Sequence, residues 1–72
     1  MTKKQVEQFI ENNEARFNGN ESIEIVFKDG KTDSIDPVWG IEVVEEEVQI
    51  ENGAHKYGYI YSTVAELNLS LL

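Results

Sequence analysis

Apolar residues recur along this chain with two periods, 3.6 near its start and 2 over most of the remainder. From Thr2 to Phe17, the residues Val6, Phe9, Ile10 and Phe17 share one stripe at helical spacing, interrupted by Asn13, which predicts an amphipathic helix. Thr2 and Gln5 fit a capping box, in which the threonine hydroxyl accepts from a backbone N–H and the glutamine side chain reaches back to the cap. Asn18-Gly19 supplies the stop, Gly19 being free to take the left-handed C′ conformation. From Ser22 to Ile35 the period becomes 2, and Asp29-Gly30 predicts a hairpin. A three-residue loop with Gly30 as a bulge pairs Ile23 with Ile35 and gathers both isoleucines into the core, whereas a two-residue loop puts them on opposite faces. Asp36-Pro37 ends that strand, because proline cannot donate to a ladder.

The longest regular stretch runs from Val43 to Ser62 and reads as a hairpin closed by Asn52-Gly53, a pair that accepts the positive φ of a type I′ turn. A two-residue loop pairs Glu51 with Ala54, Ile50 with His55, Val48 with Tyr57, Glu46 with Tyr59 and Val44 with Tyr61. The face carrying Val44, Val48, Ile50, Tyr57, Tyr59 and Tyr61 is then the core side, and the face carrying Glu45, Glu47, Gln49, Glu51, Lys56, Gly58 and Ile60 meets water. Glu46 falls on the apolar side, where a carboxylate is costly. Trp39, Ile41 and Val43 have the opposite parity to Val44, Val48 and Ile50, and a β-bulge near Val43 to Glu46 would reconcile them. Val38 to Glu51 is thus the third strand and Ala54 to Ser62 the fourth. In the tail, Thr63 and Glu66 fit a second capping box, and Val64, Leu67 and Leu71 share a helical stripe, which favours a short helix. Leu67, Leu69 and Leu71 also alternate as in a strand. The expected fold is α+β: an N-terminal amphipathic helix packed on a four-stranded antiparallel meander, with a short C-terminal helix, in one domain over residues 1–72.

Composition narrows the classes of function. The formal net charge is −8 over 72 residues, which disfavours direct contact with nucleic acid or an anionic membrane, since both present phosphates. No cysteine is present, no apolar run approaches the roughly 20 residues of a membrane helix, and Met1-Thr2-Lys3-Lys4 leads into polar sequence, so a soluble cytoplasmic protein is expected.

Catalytic and cofactor chemistry finds little to work with. His55 is the sole histidine, it sits beside a turn, and no serine stands in a nucleophile elbow. Asp29, Asp33 and Asp36 cluster around the first hairpin without EF-hand spacing, turn chemistry accounts for Asp29 and Asp36, and the glycines are scattered rather than gathered into a phosphate loop. No catalytic residue, metal ligand or cofactor is assigned, and a non-enzymatic role is expected.

The remaining candidates are interaction residues. Trp39 is an aromatic of the kind interfaces favour, Leu69, Leu71 and Leu72 form an apolar tail suited to a subunit contact or the core, and Glu45, Glu47 and Glu51 line an outward acidic face. The leading expectation is a protein–protein interaction module that binds a basic protein surface or a second copy of itself. In size, charge and the Glu45-Glu46-Glu47 run the chain also resembles small acidic phage-encoded inhibitors of DNA-binding enzymes, including some anti-restriction and anti-CRISPR proteins. That resemblance implies an acidic decoy in a nucleic-acid channel. DNA carries a charge about every 3.4 Å of axis on each strand, so one protein row is too sparse and the helical row Glu7, Glu11 and Glu14 would have to join the strand row.

Overall fold

The computed structural model describes residues 1–72. Its one α-helix, α1, spans Lys3–Asn13 and begins with the expected capping box: Thr2 Oγ1 accepts from Gln5 N at 3.2 Å, and Gln5 Oε1 accepts from Thr2 N at 2.9 Å. The helix is shorter than its apolar stripe. Asn13 leaves helical geometry, its side-chain amide donates to the Phe9 carbonyl at 2.8 Å, and a 3-10 turn over Glu14–Arg16 follows. Gly19 has a left-handed φ of 87° but lies beyond the helix end and does not cap it. Val6 is fully buried, and Phe9, Ile10 and Phe17 pack around the core.

Six strands follow: β1 (Glu21–Phe27), β2 (Thr32–Ile35), β3 (Gly40–Val44), β4 (Glu47–Glu51), β5 (Lys56–Ile60) and β6 (Val64–Leu71). They form two three-stranded antiparallel sheets, ordered β2-β1-β6 and β3-β4-β5, in place of the expected four-stranded meander. The first hairpin has the expected register, Ile23 opposite Ile35, with Gly30 at φ 89° in its loop.

Three departures from the sequence reading produce the two-sheet arrangement. The expected third strand is two strands, because the chain reverses at Glu45-Glu46, with Glu45 at φ 53°. That reversal resolves the parity conflict without a bulge. Ile41 now faces Ile50 and Val43 faces Val48, all four toward the core, while Glu46 moves off the apolar face to an exposed turn. The Asn52-Gly53 hairpin closes through a four-residue loop, since Asn52 Oδ1 accepts from Ala54 N and His55 N at 3.2 and 2.9 Å and Asn52 N bonds to His55 O at 3.0 Å. Ile50 therefore pairs with Tyr57 and Val48 with Tyr59. The slip from the expected register is an even number of residues, so the side chains of β4 and β5 keep their faces, whereas the reversal at Glu45-Glu46 turns Val44, expected on the core side, outward beside Glu47.

The third departure is the tail. Residues from Val64 form no helix beyond a preceding 3-10 turn, Tyr61–Thr63, and instead lie as β6 along β1, with Ile25 opposite Leu67 and Ile23 opposite Leu69. Strand periodicity prevails over helical periodicity because β1 offers both an open edge and an isoleucine face. The amino terminus covers the start of β6, the Met1 ammonium donating to the carbonyls of Tyr61 (2.8 Å) and Val64.

The core lies between the sheets and α1 and consists of Val6, Ile23, Ile25, Ile35, Val38, Val48, Ile50, Val64 and Leu67. Tyr59 ties the sheets together at one side. Its ring packs against Phe27, centroids 5.8 Å apart, and its hydroxyl donates to Asp33 Oδ2 at 2.8 Å. Glu21 is the one buried charged residue; Oε1 receives Arg16 Nη2 at 3.0 Å and Nε at 3.1 Å, while Oε2 has no partner.

Candidate protein-binding face

The outward face of β3-β4-β5 is set by the registers just described. Its three cross-strand rows are Gly40, Glu51 and Lys56; Glu42, Gln49 and Gly58; and Val44, Glu47 and Ile60. Gln49 stands at the centre and donates to Glu47 Oε1 at 3.2 Å. Three carboxylates surround it, and the only cation in the grid, Lys56, approaches Glu42 Oε1 at 3.5 Å in an exposed pair. Such a pair contributes under about 1 kcal/mol, so the face stays anionic.

Glutamate side chains lie over both glycines of this face. A methyl on Gly58 would lie 2.7 Å from Glu47 Oε1, so the Glu47 carboxylate rests over the glycine, and Gly40 faces Glu51 in the same way at 3.6 Å. Two shallow depressions mark the face, one of about 200 Å³ beside Gly40 and Glu51 and one of about 360 Å³ beside Val44, Glu45 and Ile60. Ile60 is 49% exposed and Val44 37%, so the anionic grid ends in an aliphatic edge.

The helical acidic row meets this face across β3. Glu7 and Glu11 of α1 and Glu14 of the 3-10 turn after it stand opposite Glu42 along a groove of about 380 Å³ floored by Ile10, Ile41 and Val43. Strand and helix carboxylates thus form one continuous band. Sequence reasoning placed Gln49 on this face but did not include Glu42, because it ran β3 and β4 together as a single strand. The parity conflict between Ile41 and Ile50 was the available signal, and a reversal at Glu45-Glu46 answers it as well as a bulge does.

The interaction candidates fall into two groups. Glu47 and Glu51 stand on the anionic face and Glu45 at its turn. Trp39 lies elsewhere, 54% exposed, with its indole over Gly19 and against Gly53. The segment carrying Gly19 also holds the tail, since Leu72 N donates to Asn20 O at 3.0 Å and Leu71 pairs with Glu21. Trp39, Leu71 and Leu72 therefore gather at one end of the molecule, the leucines 73% and 67% exposed, while Leu69 is half-buried against the core.

Comparison with protein-family models, with curated proteins and with solved structures finds no match.

The other titratable groups serve the fold. His55 is exposed, its ring 6.2 Å from that of Tyr57. Asp29 Oδ1 accepts from Lys31 N at 2.9 Å in the turn, and Asp33 is engaged by Ser34 N and Tyr59. The Tyr59 hydroxyl titrates well above the ordinary tyrosine range, chiefly because it is partly desolvated, with the Asp33 hydrogen bond and charge adding to the effect. Burial lowers the Met1 ammonium below 8.0, and the nearby Lys28 charge lowers it further.

Proposed function

We propose that this protein is a non-enzymatic interaction module that docks a basic protein surface on the outward face of β3-β4-β5. One observation carries the reading: Glu42, Glu47 and Glu51 share a single open face with one lysine. Complementary charge speeds encounter and selects the partner, while the aliphatic margin at Val44 and Ile60 offers area that excludes water. Where the partner's basic surface is one that ordinarily holds nucleic acid, docking displaces the nucleic acid, which is the decoy activity that the sequence resemblance implies. The continuity of the strand and helix carboxylates supports that version.

The test is comparative capture from lysate with the wild-type chain and the Glu42→Gln/Glu47→Gln/Glu51→Gln variant at low salt, eluted in steps of rising ionic strength. A basic protein retained by the wild type, released by moderate salt and lost with the variant is the expected result. Equal retention by both forms would remove this face from the mechanism. Self-association is a second reading, supported by the gathering of Trp39 and Leu71 at one end of the molecule beside β6, an edge strand. It predicts a dimer in sedimentation equilibrium that Trp39→Ala weakens, and a monomer throughout the micromolar range would dispose of it.

A further inference from the structure

The edge of β3 that faces away from β4 pairs with no other strand. β3 is the outermost strand of its sheet and hydrogen-bonds only β4. No backbone or side-chain bond reaches residues 41–44 from α1, although the helix lies alongside. Unpaired edge groups of this kind template the addition of another strand. The groove between this edge and α1 has an aliphatic floor, Ile10, Ile41 and Val43, and four carboxylates and no cation along its sides.

We infer that this edge takes an extended basic segment of the partner by strand addition. The backbone of the segment continues the β3-β4-β5 ladder. Because side chains alternate across a strand, one set points toward Ile41, Val43 and the helix, and the other emerges beside Glu42 on the outward face. The first set meets an aliphatic floor and the second a carboxylate, so the matching segment alternates apolar residues with lysine or arginine. Glu7, Glu11 and Glu14 on the opposite wall stabilise cationic residues at the rim. Charge also selects against the commonest competitor for an open edge, a second copy of the same chain: β3 against β3 would place two such carboxylate bands side by side in molecules of net charge −8, whereas a basic segment is drawn in.

The inference rests on the proposed docking of a basic partner and can fail independently of it. The probe is a seven-residue peptide alternating lysine and valine, followed by two-dimensional NMR and amide hydrogen exchange on the intact chain. The expected result is saturable binding that shifts amides along β3 and protects those of Ile41 and Val43, which point to the free edge, weakened roughly tenfold by Glu11→Gln with Glu42→Gln. Methylation of alternate peptide nitrogens, which removes ladder donors and leaves the charge intact, should abolish it. Shifts confined to Glu47, Glu51 and Lys56, undiminished binding of the methylated peptide, or no binding would each overturn strand addition. Docking of a basic protein sensitive to Glu47→Gln and Glu51→Gln would survive any of those results.

Discussion

Gly19 and Gly30 form a natural pair for separating backbone strain from packing. Their φ values are nearly the same, 87° and 89°, but a methyl on Gly30 meets nothing within 4 Å, whereas a methyl on Gly19 would fall 2.4, 2.7 and 2.8 Å from Cζ2, Cε2 and Cη2 of Trp39. Alanine at either position carries the left-handed penalty of about 1–2 kcal/mol, offset by up to about 1 kcal/mol through the reduced freedom of the unfolded chain, so Gly30→Ala should cost about 1 kcal/mol. Gly19→Ala must in addition push the indole off its seat. With Trp39 54% exposed, the ring buries about 100 Å² of the area a tryptophan can bury, or about 2.5 kcal/mol at 25 cal/mol per Å². Half of that is lost if the ring keeps its contact with Gly53, which places Gly19→Ala about 1–1.5 kcal/mol below Gly30→Ala. Urea unfolding followed by far-ultraviolet circular dichroism measures the difference. At a slope near 1 kcal/mol per molar urea, the two midpoints should separate by about 1 M. In a Trp39→Ala background the separation should vanish, because the indole atoms nearest the alanine methyl are gone. The packing argument is refuted if the two alanines lie within about 0.5 kcal/mol of each other in the wild-type background, or if their difference persists without the indole.

Tyr59→Phe should cost about 1 kcal/mol or less at neutral pH and flatten the alkaline limb of the stability profile. The folded state holds the Tyr59 proton more tightly than the unfolded chain, so the contribution of this group is whole below about pH 10 and is lost as pH rises further; an unchanged limb in the variant would assign the loss to other groups. Arg16→Met leaves the buried Glu21 carboxylate without its cation and should destabilise by about 2–3 kcal/mol, most of it recovered by adding Glu21→Gln; thermal denaturation of the three variants shows whether the recovery occurs. Glu45→Gly relieves a left-handed residue and one charge of a crowded turn, and should raise stability by up to about 1 kcal/mol in the same assay, a decrease arguing that the Glu45 side chain holds the reversal.

Local signals were enough for much of this molecule. The Thr2 and Gln5 capping box, the Gly30 bulge and the Ile23–Ile35 pair depend on residues close in sequence, and each is present as read. Tertiary structure decided the rest. Glutamates at 45 and 46 carry no turn signature, so the reversal that creates β3 and completes the acidic face was visible only as a parity conflict. Leu67 and Leu71 fit a helix as well as a strand, and the choice fell to β1, remote in sequence, whose free edge needed a partner. The acidic residues by themselves determined that this is a strongly anionic protein. Only the packing of α1 beside β3 set Glu7, Glu11 and Glu14 opposite Glu42, because sequence records which side chains share an element and the fold alone determines which elements share a groove.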